Sequence, residues 1–312
     1  MASTVSGSTA FTFQADPDTG TFKRRFGDVS NFFFDSENGK VLGKTFQQWL
    51  FGALFYIAFY CCIVALMLAC GAVVYQTLDW NMPRLTAQNS ILQLSPSLGF
   101  RPLPDSSTTL IRFIKGNKRQ YSILQDNLEA YLLFYENQNQ VTDTGAMVDC
   151  KTYNKRRPQL EWDKACRFEL QDLGKKCIKQ QDFGMRYGQP CVLLKLNRVF
   201  DWHPENYHND SDIPSEIKDT YLPYYVHLKC FGVTPADEDN MDRIEYYPAG
   251  GFHFKYFPFR NQQGYRSPLV FVRFPSMSMH VLVMIECRAY AKNIRQNSVE
   301  RAGTVRFELL VD

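Results

Sequence analysis

An excess of one sign of charge is missing from this sequence: 35 Lys and Arg stand against 32 Asp and Glu, a net charge of +3. No polybasic surface therefore argues for a nucleic-acid partner. Histidine is scarce, at 5 in 312 residues. Two of these, His203 and His208, share one loop, but no third ligand with workable spacing accompanies them, so no metal site is expected. The chain has no Gly-x-Ser-x-Gly elbow, no His-Glu-x-x-His pair and no Cys-x-x-Cys. The usual hydrolase, zinc-protease and thiol-redox signatures are thus absent, and no catalytic residue or cofactor is expected. Aromatic residues, in contrast, make up 15% of the chain, which suits a packed domain better than a disordered one.

One absence is local. From Thr45 to Leu78 there is no charged residue, and Trp49 to Tyr75 is almost wholly apolar. A bilayer core of about 30 Å takes about 20 helical residues, so this run predicts one transmembrane helix with length to spare. It is too long, and begins too far from the start, for a cleaved signal peptide. The preceding tail carries Lys23, Arg24, Arg25, Lys40 and Lys44, whereas the first segment after it offers only Arg84, which favours an N-terminus inside. Of nine cysteines, Cys61, Cys62 and Cys70 lie in the run, and Cys150, Cys166, Cys177, Cys191, Cys230 and Cys287 all follow it. Six cysteines on one side read as a disulfide framework in an oxidising compartment. The same side holds the sequon Asn209-Asp210-Ser211, so a glycosylated extracellular domain is expected there. The layout is a single-pass type II membrane protein: residues 1–45 a cytoplasmic tail, 46–78 a signal-anchor helix, 79–105 a proline-punctuated stalk, and 106–312 a disulfide-bonded ectodomain.

Within the tail, GKVLGKT resembles a phosphate-binding loop, but only three residues separate Gly39 from Gly43 where a Walker A loop needs four. A juxtamembrane turn is expected instead. In the helix, Ala58, Cys62, Ala65, Ala69 and Ala72 form a stripe of small side chains that would let another helix approach. Tyr56 and Tyr60, with Phe59 beside them, lie opposite, and a phenol in lipid wants a hydrogen-bond partner unless it reaches the headgroups. Either face could pack against another helix.

Beyond the stalk, Asp126 to Glu136 predicts a helix capped by Asp126, with Leu128, Tyr131, Leu132 and Tyr135 on one face. From Pro190 onward, PCVLLKLNRV, YYVHLKC, PLVFVRF, HVLVMIECRAYA and TVRFELLV predict strands of an antiparallel sheet or sandwich. Val281, Val283, Ile285 and Cys287 should share one face, as should Val305, Phe307, Leu309 and Val311. The type II layout also fits a lumenal glycosyltransferase, whose Asp-x-Asp motif has two look-alikes here, Asp210-Ser211-Asp212 and Asp237-Glu238-Asp239. Both read as solvated loops. A cell-adhesion or junctional ectodomain is a further alternative.

The strings NFFFDSENGKVLGKTFQQW before the span, FYIAFY within it, GQPCVLLKLNRV at 188–199 and IECRAY at 285–290 resemble the β subunit of animal Na,K-ATPases, with the insect (nervana) form nearest. The resemblance runs from about residue 28 to 312 and includes the order of the six cysteines. It implies a non-catalytic, plasma-membrane partner of the pump's catalytic α subunit, needed for its assembly and delivery and tuning its cation transport. It implies the pairing Cys150–Cys166, Cys177–Cys191 and Cys230–Cys287, which sequence alone leaves as one of fifteen connectivities. It implies an immunoglobulin-like sandwich with a helical insertion, and it maps the family's helix contact onto Tyr56, Phe59 and Tyr60. The run Tyr256-Phe257-Pro258-Phe259 takes the place of a Tyr- and Pro-rich segment expected to shape the ectodomain near α. One departure stands out: Cys177 is followed by Ile178 and Lys179 where Ser-Gly is common in the family.

Overall fold

A computed structural model describes residues 34–35, 40–86, 89–90, 95–140, 147–296, 299 and 301–312. The chain divides into two compact units, residues 1–78 and 79–312.

In the first unit, β1 (Phe34–Asp35), β2 (Lys40–Val41) and β3 (Lys44–Thr45) form a small antiparallel sheet. Leu42 and Gly43, both at positive φ (52° and 74°), make the two-residue turn that pairs Val41 with Lys44. That backbone matches strand twist in a tight hairpin. The phosphate-loop look-alike is therefore a hairpin turn. It leads directly into α1 (Phe46–Thr77), where the Thr45 N–H donates to Gln48 Oε1 at 3.1 Å. Trp49 Nε1 donates to the Val41 carbonyl at 2.8 Å and Lys44 Nζ lies 5.7 Å from the indole, so the hairpin is fastened to the first helical turn. With 32 residues, α1 is about 48 Å long, more than a ~30 Å hydrocarbon core requires. None of its side chains is buried within the chain.

The second unit is a sandwich of two sheets. Its strands and helices are β4 (Leu98–Arg101), β5 (Leu110–Phe113), α2 (Lys118–Leu133), β6 (Met147–Val148), β7 (Ala165–Cys166), β8 (Cys191–Leu196), β9 (Tyr225–Gly232), α3 (Pro235–Asp239), β10 (Glu245–Tyr247), β11 (Phe252–His253), β12 (Leu269–Arg273), β13 (Leu282–Tyr290) and β14 (Thr304–Val311). One sheet runs β10-β12-β8-β4, all antiparallel; the other runs β11-β9-β13-β14-β5, antiparallel except for the parallel β14–β5 pair. β6 and β7 pair separately.

Alternation decides which faces meet. Val283, Ile285 and Cys287 of β13 and Phe307, Leu309 and Val311 of β14 are buried, with Val281 and Val305 partly buried against the same core. Phe100 of β4 stacks on Phe307 at 5.1 Å, joining the two sheets. The middle strands β8 and β12 are buried on both faces, because the segments Leu170–Leu173 and Lys179–Tyr187 pack on them, with α2 against the latter. On the outer face of the other sheet, Glu286 is nonetheless buried, receiving Arg288 Nε at 2.6 Å and Arg306 Nε.

Two boundaries differ from the sequence reading. The helix begins at Lys118, and Asp126 lies in its middle rather than at its cap. Tyr121, Leu124 and Leu128 already form a buried stripe there, following a turn at Gly116 (φ 75°). The proline-punctuated 79–105 segment supplies β4, with Leu98 and Phe100 buried, so its end belongs to the sandwich.

Candidate partner-binding face and accompanying sites

Helix geometry sets the first site. Residues four apart lie on one face of α1, so Tyr56 stacks on Tyr60 and Phe55 on Phe59, each with ring centroids 6.3 Å apart. Edge contacts at 5.6 Å join Phe55 to Tyr56 and Phe59 to Tyr60. Four rings thus make one exposed aromatic band across two turns. Phe55 was not singled out from sequence, although its four-residue spacing from Phe59 is legible there. A ~30 Å core centred on α1 begins about 9 Å from either end, which places Tyr56 about 6 Å and Tyr60 about 12 Å inside it. Tyr60 is too deep for its phenol to reach the headgroups, and its ring packs only against its own helix among the described residues. Ala58, Cys62, Ala65, Ala69 and Ala72 are equally exposed, and Gly52 and Gly71 meet nothing within 4 Å.

The aromatic run of the second unit, expected to shape the ectodomain, lies inside it. Tyr256, Phe257, Pro258 and Phe259 are all buried. Tyr256 packs on Phe168 (5.5 Å), Phe257 on Trp202 (5.4 Å), and Phe259 on Phe200 and Tyr265 (4.9 and 5.0 Å). Tyr256 and Phe257 belong to the main core and Phe259 to a separate small cluster with Ala165 and Tyr265, since aromatic rings have more to gain inside than on the surface. The rings of the run are almost wholly covered by the loops around it.

Three disulfides are present, Cys150–Cys166, Cys177–Cys191 and Cys230–Cys287. The first ties the β6–β7 pair and the second fixes the loop before β8. The third joins directly opposed residues of β9 and β13, so it lies within one sheet, unlike the bridge between sheets of an antibody domain. Cys61, Cys62 and Cys70 are free and exposed along α1.

The remaining motifs are used locally. Asn209 and Ser211 are exposed in a short 3-10 turn, with Asn209 Nδ2 3.5 Å from Asp212 Oδ2. Asp237 is buried, and its Oδ2 accepts from Thr234 N–H (2.9 Å) and Oγ1 (2.7 Å) while Oδ1 accepts from Met284 N–H (2.9 Å). These bonds hold its carboxyl below the usual range although burial opposes them. A carboxylate spent on capping α3 and tying it to β13 is not free for a metal–nucleotide pair. His203 packs on Trp162 at 4.4 Å, and burial pushes its imidazole below its ordinary pKa. His208 is exposed, and no metal-ligating cluster of three occurs among the described residues.

An apolar span with an aromatic band and a disulfide-bonded sandwich whose acidic motif serves as a structural cap have the make-up of a membrane-anchored protein. The family profile described as "Sodium / potassium ATPase beta chain" matches residues 19–307. The chain is 31% identical over 300 residues to Drosophila melanogaster "Sodium/potassium-transporting ATPase subunit beta-2", covering 91% of this chain and 92% of that one. It is 32% identical over 294 residues to subunit beta-1 of the same fly, covering 91% and 92%. It is also 32% identical over 286 residues to Caenorhabditis briggsae "Probable sodium/potassium-transporting ATPase subunit beta-3", covering 90% and 86%. This chain belongs to the sodium/potassium ATPase beta chain family, a family of non-catalytic subunits.

Proposed function

We propose that the chain binds the catalytic α subunit of a sodium/potassium-transporting ATPase through Tyr56, Phe59 and Tyr60, supports its assembly and delivery to the plasma membrane, and modulates its cation transport. The carrying observation is the exposed Tyr60, which has no hydrogen-bond partner among the described residues and which a ~30 Å core centred on α1 would hold about 12 Å deep. Lipid offers such a group nothing, whereas a neighbouring helix offers carbonyl and side-chain acceptors. The second unit lies outside the cell, glycosylated at Asn209 and held by its three disulfides. Both the exposure of that sequon and the confinement of all three bridges to this unit support that placement. The buried Tyr256–Phe259 run acts by shaping this domain rather than by touching α. Tyr56→Ala with Tyr60→Ala tests the reading: recovery of a co-purified P-type ATPase should fall while the tagged chain itself still accumulates. Unchanged recovery moves the contact to the small-residue stripe.

A further inference from the structure

Beside α2, the second unit holds a groove of about 510 Å³ that the subunit role does not use. Its floor is apolar: Phe183, Phe271 and Leu173 are buried there, and the two phenyl rings lie 6.0 Å apart. Leu132 and Leu133 of α2 form one wall and Ile178 the other. Both walls are anchored. Cys177 is bonded to Cys191 at the start of β8, and Gln125 Nε2 of α2 donates to Asp182 Oδ1 at 2.9 Å, tying the helix to the Lys179–Tyr187 segment. The groove is therefore preformed, and its volume is within the usual range for a drug-sized ligand.

Its mouth has a definite sign. Asp126, Glu129 and Glu136 line it from the α2 side, against a single cation, Lys179. Lys179 Nζ lies 2.5 Å from Glu129 Oε2, on a side chain that is 70% exposed. The hydrogen bond to Glu129, with Asp126 and Glu136 adding to it, holds this ammonium above the ordinary lysine pKa. One ammonium, paired with Glu129, thus stands at a mouth that three carboxylates line over an aromatic floor. That arrangement is complementary to a ligand with a positive end and an apolar body, with Lys179 as the chain's own occupant of the cation position.

We propose that this groove binds a small amphiphilic cation, a hydrophobic ammonium whose body fills the Phe183–Phe271 floor and whose charge replaces Lys179 beside Glu129 in the acidic mouth. The test uses the full chain in complex with its catalytic partner, in nanodiscs of zwitterionic lipid, titrated by ligand-detected NMR. The probes are 1-adamantylammonium, the neutral 1-adamantanol and the anionic 1-adamantanecarboxylate, which share one hydrocarbon cage.

Saturable binding is expected for the ammonium, weaker binding for the alcohol and none for the carboxylate. Lys179→Met should tighten the ammonium about two- to fivefold, the range for an exposed ion pair. The triple change Asp126→Asn, Glu129→Gln and Glu136→Gln should weaken it by about fivefold or more. Ala130→Trp, at an exposed helical position on the groove wall, should abolish the saturable component and leave only partition into lipid. Equal binding of all three cages, or no tightening on Lys179→Met, overturns the proposal. So does an absence of saturable binding where Ala130→Trp instead lowers recovery of the catalytic partner, which would make the groove a protein-docking surface.

Discussion

Glu245 offers the sharpest test of how the second unit is held together. Its carboxylate accepts from Tyr247 Oη (2.7 Å), Arg273 Nη1 (2.7 Å) and Lys176 Nζ (3.1 Å), so one side chain joins β10, β12 and the Cys177 loop. Chiefly the Tyr247 bond, with Arg273 and Lys176, brings its pKa from the ordinary 4.5 to about 2, against the opposing effect of burial. A difference of that size is worth ~3 kcal/mol at neutral pH if all of it reaches stability. Lys176 is half exposed, and solvent screening reduces the figure to about 1–2 kcal/mol. Because the folded pKa is depressed, the contribution is complete above about 4.5 and is lost as pH falls towards 2. Glu245→Gln should therefore lower the melting temperature at pH 7 by about 2–8 °C for a unit of this size. At pH 2.5 the gap should shrink to about a quarter of its size at pH 7. The assay is fluorescence-detected unfolding of the purified protein with disulfides intact, at both pH values. A gap of the same size at pH 7 and pH 2.5, or none at pH 7, refutes the assignment.

Other substitutions separate structural roles from chemical ones. Removing the Cys230–Cys287 bridge, with a sequence separation of 57, should destabilise the domain by ~4 kcal/mol on loop-closure grounds. Each of the bridges separated by 16 and 14 residues should give ~3 kcal/mol, so paired Cys→Ser variants should rank in that order in non-reducing denaturant titrations. Asp237→Asn should lower stability by about 1–3 kcal/mol through the α3 cap and the Met284 amide, while ATPase activity per assembled complex is unchanged. Asn209→Gln should remove the glycosidase-sensitive mass from the chain expressed in animal cells; an unchanged gel shift would leave the sequon unoccupied.

The legible parts of the fold were those where one physical demand dominates. A 32-residue helix without charge has no soluble alternative that leaves every side chain uncovered. Most of β13 and β14 alternates with one face in the core, so Val283, Ile285, Cys287, Phe307, Leu309 and Val311 were readable, whereas the burial of Glu286 on the other face was not. β4 was not readable, because Leu98–Arg101 is made a strand by its β8 partners rather than by its own composition. The start of α2 was hidden for a similar reason: its first turns are polar outside, and Tyr121 and Leu124 become a stripe only against the sandwich. For the Tyr256–Phe259 run, composition alone left two placements open. An aromatic string has the same composition in a core as at an interface, and only the fold around it distinguishes the two. The band on α1 was largely visible from its four-residue spacing, with Phe55 the member left out.

The central claim, association with a catalytic α subunit through that band, is tested most directly by affinity purification of the tagged chain in mild detergent, followed by an assay for ouabain-sensitive ATPase activity. The account predicts a co-purifying chain of P-type ATPase size that carries this activity, with recovery reduced by Tyr56→Ala and Tyr60→Ala together. Purification without such a partner, from cells that contain one, would contradict it.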